Sequence, residues 1–350
     1  MKGLFAAAAA LTAALAVASV APAGNGTPID ANSANPLTLA VFGDLPYSQP
    51  QIDNFSNLAD SVNGDPKVDL AFHLGDIKSG STLCTDARFQ FVRDAFDEFK
   101  DPLVYSPGDN EWTDCHRANN GFYLPTERLA KIRELFFPTP GTTLGGRKKQ
   151  VLTQASDPAY PLLVENTMWM QSQVVFAAVD APGSNNDLVP WGAPWNTPTY
   201  QLIQAAEVAN RTAGDVAWIE KAFDEADVND AAGVVIGLQA DMWDPATPIT
   251  QFGGFTPIVR ALATRAAAFG KPVLLFAGDS HLLKTDHPFT NAGPDAFTPF
   301  NTLYGTTTPV PNLTRVVVQG STSTPSSWVR LTVDPHAAEL FELESVQVPF

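Results

Sequence analysis

Pro272-Val273-Leu274-Leu275-Phe276-Ala277-Gly278-Asp279-Ser280-His281 is an apolar run that stops on a glycine and a carboxylate. A continuous apolar segment this short reads as a strand buried on both faces. Three earlier stretches end in the same way: LTLAVFGD over 37–44, VDLAFHLGD over 68–76 and DPLVYSPGD over 101–109. A carboxylate just past a strand lies at the carboxyl edge of a sheet, where open α/β sheets bind their ligands. Asp44, Asp76, Asp109 and Asp279 could therefore converge on one point. Carboxylates gathered without cations repel one another, so a metal site is the economical reading.

Between the first three of these strands lie helical patterns. Ile52, Phe55, Leu58 and Val62 share one face of a helix over 50–63. Phe89, Val92, Phe96 and Phe99 do the same after an expected cap at Asp86, and Thr126 is the expected cap of a helix over 126–137. Strand–helix alternation of this kind predicts a parallel sheet covered by helices. Residues 138–173 are rich in Pro, Gly and Thr and read as irregular. A strand over 174–180 is followed by a long loop, 181–200, that carries Trp191, Trp195 and Tyr200. Loops of this length inside a domain are often functional, and aromatics there either cover the sheet or contact a ligand. Helices are expected over 201–227 and 256–269, and strands over 233–239 and 272–277. Three β-rich segments, 313–319, 327–333 and 338–347, read as one antiparallel unit.

The chain has 350 residues, 45% of them hydrophobic, enough for one large core. Lys2 precedes an uncharged Ala/Leu/Val run over 4–20, and Ala21-Pro22-Ala23 fits a cleavage signal. Residues 1–23 therefore read as a signal peptide rather than a membrane span, residues 24–36 as a loose leader, and 37–350 as a single domain. The expected product is secreted or periplasmic. A net charge of −16 disfavours nucleic acid and anionic membranes as partners. The two cysteines, Cys84 and Cys115, follow Asp76 by eight residues and Asp109 by six. In an exported chain they predict a disulfide between adjacent loops at the rim of the site, contributing about 3–4 kcal/mol in the chain-entropy model.

The order Gly-Asp, Gly-Asp, Gly-Asp-Asn-Glu, Gln239, Gly-Asp-Ser-His resembles that of the calcineurin-like metallophosphoesterases, over roughly 37–345. The resemblance implies a four-layer α/β/β/α sandwich with mixed sheets. It also implies one or two divalent ions bridged by a carboxylate, and hydrolysis of a small phosphomonoester or phosphodiester by metal-activated water. Asp44 matches the first aspartate of the family, although the histidine two residues on is Pro46. Asp76 matches the bridging aspartate. Asp109 stands where the family has a metal-binding Asn, and Asn110 where its phosphate-contacting His sits; Glu111 keeps the acidic fourth position. Gln239 occupies the place of a strand-end His. In Gly278-Asp279-Ser280-His281, Asp279 replaces the first His and His281 retains the second.

The metal ligands this implies are Asp44, Asp76, Asp109, Gln239, Asp279 and His281. The set is rich in oxygen and suits Mg²⁺, Mn²⁺ or Ca²⁺ better than Zn²⁺, without separating these from Fe. Asn110 and His116 are the candidate catalytic groups, His116 as a general acid. Tyr47, Lys78 and Arg117 are the candidate substrate contacts. His73, inside a strand, reads as a core residue, and His287 as a neighbour of the rim. Two other readings compete with a metal-dependent phosphoesterase. One is a catalytically inactive binding or structural protein on the same fold. The other is an exported carbohydrate-active enzyme with paired carboxylates, which explains strand-end Gly-Asp less well.

Overall fold

The computed structural model describes residues 27–28, 33–290, 297–320 and 326–348. The expected signal peptide lies outside the described residues, as does most of the expected leader.

The strands form two main sheets. A five-stranded sheet runs in the order Phe341–Gln347, Ser327–Val333, Leu37–Phe42, Leu70–His73, Leu103–Tyr105. Its last three strands are parallel, and the first two form an antiparallel hairpin on their edge. A seven-stranded sheet runs Lys284–Asp286, Leu313–Val317, Val273–Ala277, Gly233–Gly237, Val174–Ala178, Thr167–Gln171, Leu152–Thr153. Leu313–Val317, Val273–Ala277, Gly233–Gly237 and Val174–Ala178 are parallel, and the edges are antiparallel.

The alternation of side chains along each strand creates three cores. Leu39, Val41, Leu70, Phe72 and Val104 point toward the other sheet, where they meet Trp169, Phe176, Val235, Leu274 and Phe276. Ala40, Phe42, Ala71, Leu103 and Tyr105 point the other way, onto helices Phe55–Asn63, Asp86–Phe96 and Pro125–Phe136. On the far side, Val234, Ile236, Val273 and Leu275 pack against helices Pro198–Val228 and Thr256–Phe269. The result is a helix–sheet–sheet–helix sandwich, as the family resemblance implied.

Several local expectations are corrected. The tail does not form one antiparallel unit. Leu313–Val317 joins the seven-stranded sheet in parallel beside Val273–Ala277, while Ser327–Val333 and Phe341–Gln347 complete the other sheet. Segment 138–173 contains the strand Thr167–Gln171, which pairs with Val174–Ala178 through a turn at Ser172 and Gln173, both with positive φ. Thr85, not Asp86, caps the third helix, its side chain accepting from the Arg88 amide. Pro125 rather than Thr126 starts the helix Pro125–Phe136, since proline suits the first helical position. The helix expected over 50–63 breaks at Asn54 into Gln49–Asp53 and Phe55–Asn63.

Candidate functional site

The ends of the parallel strands from both sheets meet on one rim, where Asp44, Asp76 and Asp109 are buried and Asp279 is half-buried. Asp44, Asp76 and Asp279 have φ of 55°, 59° and 66°, and His281 has 62°. Each side chain is thus turned by a left-handed residue, a conformation that Asp and His adopt more readily than other residues with a Cβ. The glycines of the repeated phrase leave room for neighbouring acids. A Cβ at Gly108 would lie 2.2 Å from Asp76 Oδ1, and one at Gly278 would lie 2.3 Å from Asp44 Oδ2.

Among the described residues, two groups could hold an ion, each with one ligand atom per residue inside 4.8 Å: Asp44, Asp76 and His281, and Asp76, Asp109 and Asp279. Asp76 belongs to both, as a bridging carboxylate would. Asp44 Oδ2 is buried and has no hydrogen-bond partner. Burial raises the Asp76 carboxyl well above its ordinary pKa, and repulsion from Asp109, Glu111, Asp44 and Asp279 adds to the shift. Asp279 is raised well above the ordinary value by burial, then by Asp109 and Asp44. Asp109 is also raised by burial, in part offset by the Ser184 hydroxyl and Arg117. This excess of buried negative charge fits a divalent ion, and the carboxylate-rich donor set fits a hard one.

The remaining expected residues fall into three groups. Tyr47 and Asn110 sit directly on the acids. Tyr47 donates its hydroxyl to Asp76 Oδ2 at 2.7 Å and lies 3.4 Å from His281 Nε2. Its pKa is raised by burial and by the acids, so it remains a donor. Asn110 Nδ2 donates to Asp76 Oδ2 at 2.6 Å and to the Tyr47 hydroxyl at 3.0 Å. His281 Nε2 is 3.3 Å from Asp44 Oδ1; burial opposes protonation, but Asp44 raises the imidazole pKa overall.

A second group serves the acids from behind. Gln239 is fully buried, accepts from the Gly183 amide through Oε1 at 2.5 Å and points Nε2 at Asp109 Oδ1 from 3.5 Å. It orients Asp109 and the neighbouring loop. Lys78 was expected to face substrate, but its ammonium is buried and donates to Asn120 Oδ1 at 2.7 Å and to the Ser79 carbonyl at 3.0 Å. Burial lowers its pKa to about 8, against the pull of Glu111 and Asp76. Glu111 is also a support: one of its oxygens accepts from the amides of Asp76 and Gly108 and from the Tyr105 hydroxyl.

The third group lies on the rim. Arg117 is 39% exposed, pairs with Asp114 at 2.5 Å and donates to Ser184 Oγ at 3.3 Å. His116 accepts the Gly192 amide on Nδ1 at 2.9 Å. Burial and the Arg117 charge lower its pKa to about 4, so at neutral pH it is a neutral imidazole with its proton on Nε2. The Cys84–Cys115 disulfide forms, and its sulfurs rest 3.6 and 3.7 Å from the Asn110 carbonyl oxygen. It ties the loop after Asp76 to the loop that carries Asp109 and Asn110. Of the long-loop aromatics, Trp191 is buried with Nε1 donating to Asp187, whereas Trp195 packs edge-on against Tyr200 at 4.9 Å and donates to the Phe122 carbonyl.

The turn Gly183–Asp187 was not read from the sequence. Ser184, Asn185, Asn186 and Asp187 have φ of 50°, 58°, 57° and 61°, a short left-handed coil. Only its composition hints at this, because Asn and Asp tolerate the left-handed region better than other residues with a Cβ. Arg211, on the long helix, holds the coil through the Asn186 side chain and carbonyl and lies over the Trp112 ring at 5.2 Å. Ser184 Oγ consequently lies 2.9 Å from Asp109 Oδ2 and 2.7 Å from Asp114 Oδ1.

No family model matches the chain, and no curated protein matches it. Solved structures similar to it in part include the following two. A purple acid phosphatase from yellow lupin (Lupinus luteus) seeds is 13% identical, aligned over 90% of this chain and 54% of its own, with a TM-score of 0.46. This chain therefore spans about half the length of the lupin protein. GAP50, the anchor in the inner membrane complex of Plasmodium, is 9% identical over 90% of each chain, with a TM-score of 0.41. At these values neither likeness identifies an activity. Among the described residues no helix is long and apolar enough to cross a membrane.

Proposed function

We propose that the chain is an exported, metal-dependent phosphoesterase acting on a small phosphomonoester or phosphodiester. The observation that carries this reading is the pair of ligand groups that share Asp76. Asp44, Asp76 and His281 would hold one divalent ion, and Asp76, Asp109 and Asp279 a second. A divalent ion there supplies Lewis acidity toward a phosphoryl oxygen and lowers the pKa of water. The chain's own residues do the rest. Tyr47 and Asn110 fix the orientation of Asp76 and present donors beside it. Asn110 offers its amide where the family resemblance implies a phosphate contact. Arg117 supplies the exposed positive charge that an acidic protein needs to draw a phosphate to its rim. Cleavage of the signal over 1–23, the disulfide and a single domain over 37–350 belong to this proposal.

One observation favours a second reading, a protein that binds metal without turnover. Gln239, at the place of a family histidine, has its amide committed to Gly183 and Asp109. Elemental analysis of the mature chain purified without chelator, together with hydrolysis of a chromogenic phosphodiester in Mn²⁺, separates the two. The phosphoesterase reading expects bound metal and turnover abolished by Asp76→Asn. Metal without turnover supports the binding protein, and neither metal nor turnover rejects both readings.

A further inference from the structure

We infer that Ser184, on the left-handed turn, and Arg117, on the loop after Asp109, form a phosphoryl-oxygen clamp on the rim of the acid cluster, in place of the missing imidazoles. This rests on the proposed metal-dependent phosphoester reading. Ser184 is the side chain of the turn that reaches the acids, lying 2.9 Å from Asp109 Oδ2. It is only partly buried, so its hydroxyl borders both the cluster and solvent. Arg117 Nη2 lies 3.3 Å from the same hydroxyl oxygen, while its Nη1 is paired with Asp114. The guanidinium is thus fixed at one end and partly exposed at the other. A cation fixed against a hydroxyl at the edge of the acid cluster suits a tetrahedral oxyanion.

The hydroxyl has one proton and two acid neighbours, so its donor can be released from Asp109 to an incoming oxygen while Ser184 still accepts from Arg117. The turn is built rather than incidental. Asn186 is fully buried and donates to Thr212 Oγ1 at 2.9 Å and the Gly254 carbonyl at 3.2 Å, while Gly254 donates to Asn185 Oδ1 at 2.8 Å. Gln204 adds a bond to the Asp187 carbonyl at 2.6 Å. Four consecutive left-handed residues are costly, and these contacts from the long helix and from Gly254 hold them.

The test uses the full mature chain loaded with Mn²⁺ and inorganic phosphate as the probe, read by isothermal titration alongside metal stoichiometry. Ser184→Ala and Ser184→Gly should each weaken phosphate binding about 10-fold with metal content unchanged, since both lose the hydroxyl while glycine relieves the left-handed strain. Arg117→Gln should weaken it by at least as much, and Arg117→Lys by less. The Ser184→Ala/Arg117→Gln double variant should lose less than the product of the two single losses, because the groups act on one oxygen. Phosphate binding that is absent from the wild type, or unchanged in both Ser184 variants, overturns the inference. So does loss of metal with Ser184→Ala, which would make Ser184 a support for Asp109 only. Phosphate binding without ester hydrolysis by the wild type leaves the clamp intact and rejects the phosphoesterase reading instead.

Discussion

Asp241, buried, and Asp279, half-buried, lie on the same rim and are joined through Ser280, yet their surroundings are opposite. Asp241 receives Arg315 on Oδ1, Lys284 on Oδ2 at 2.8 Å, the Ser280 hydroxyl at 2.7 Å and the Trp243 amide at 3.1 Å. Burial alone would raise its pKa, but Arg315 and Lys284 hold it below the ordinary value. Asp279 has acids for neighbours, and its pKa goes up. A buried carboxylate that carries its own cation is part of the scaffold. One surrounded by other carboxylates has no such cation, and in the proposed function a divalent ion would supply the charge. The contrast separates the supports of this rim from its site, and four experiments test it.

The largest effect is expected on the scaffold side. Arg315 is fully buried, bonds Asp241 and Asp286, and stacks over Trp243 at 5.3 Å. Arg315→Leu leaves Asp241 with a buried, weakly compensated charge and should destabilise the fold by about 3–5 kcal/mol in urea unfolding. A loss under about 1 kcal/mol would place Asp241 among the site acids rather than the supports.

The second experiment tests the site side. Adding Mn²⁺ to the chelated protein at about 100 times its dissociation constant should stabilise the fold by about 2.7 kcal/mol, and chelator should reverse the gain. Arg315→Leu should leave this increment unchanged, whereas Asp76→Asn should abolish it and lower any turnover more than about 100-fold. A divalent ion that stabilises Asp76→Asn as well as the wild type would remove Asp76 from the site.

The third concerns a buried group that escapes the same problem by staying neutral. His73 lies in the strand Leu70–His73, donates from Nε2 to the Leu45 carbonyl and accepts the Gly75 amide on Nδ1. Burial lowers its pKa from 6.5 to about 3. The unfolded chain therefore binds the extra proton first. The stability His73 allows is complete above pH 6.5 and is lost as pH falls from there toward 3. Between pH 7 and pH 5 the loss should be about 2 kcal/mol, and His73→Asn should flatten that limb of the unfolding profile. An unchanged limb in the variant assigns acid sensitivity elsewhere.

The sequence was legible where a residue type acts through its place in the chain. A short apolar strand ending in Gly-Asp specifies a buried strand and an acid at its edge, because only that placement buries the run and hydrates or ligates the carboxylate. Asp44, Asp76, Asp109 and Asp279 accordingly meet. The Cys84–Cys115 bridge was legible because both cysteines follow neighbouring strand ends. What a long side chain bonds to was not. Lys78, two residues from Asp76, turns inward to Asn120, a choice made by tertiary packing. Asp241 gave no sign of its role, because Lys284 and Arg315 come from strands far along the chain. The Gly183–Asp187 coil was hidden for a similar reason: its conformation is imposed by Arg211, Gly254 and Gln204, not by its own preference.

The smallest effect asked for is the most direct test of the contrast, since it makes the same change on both sides. Asp279→Asn and Asp241→Asn each remove one negative charge and keep nearly the same shape. In the chelated protein at neutral pH, Asp279→Asn should stabilise by about 1 kcal/mol, because it removes repulsion from Asp109 and Asp44. Asp241→Asn should destabilise by at least as much, because Arg315 and Lys284 lose their shared acceptor. With Mn²⁺ present the standing relative to the wild type should change for one variant only. Asp279→Asn loses part of the metal stabilisation and falls below the wild type, while Asp241→Asn gains the full increment. Urea titrations of the two variants with and without chelator read all four values. The same sign for both changes in the metal-free protein would mean that the acids are equally compensated, and the division of this rim into scaffold and site would not stand.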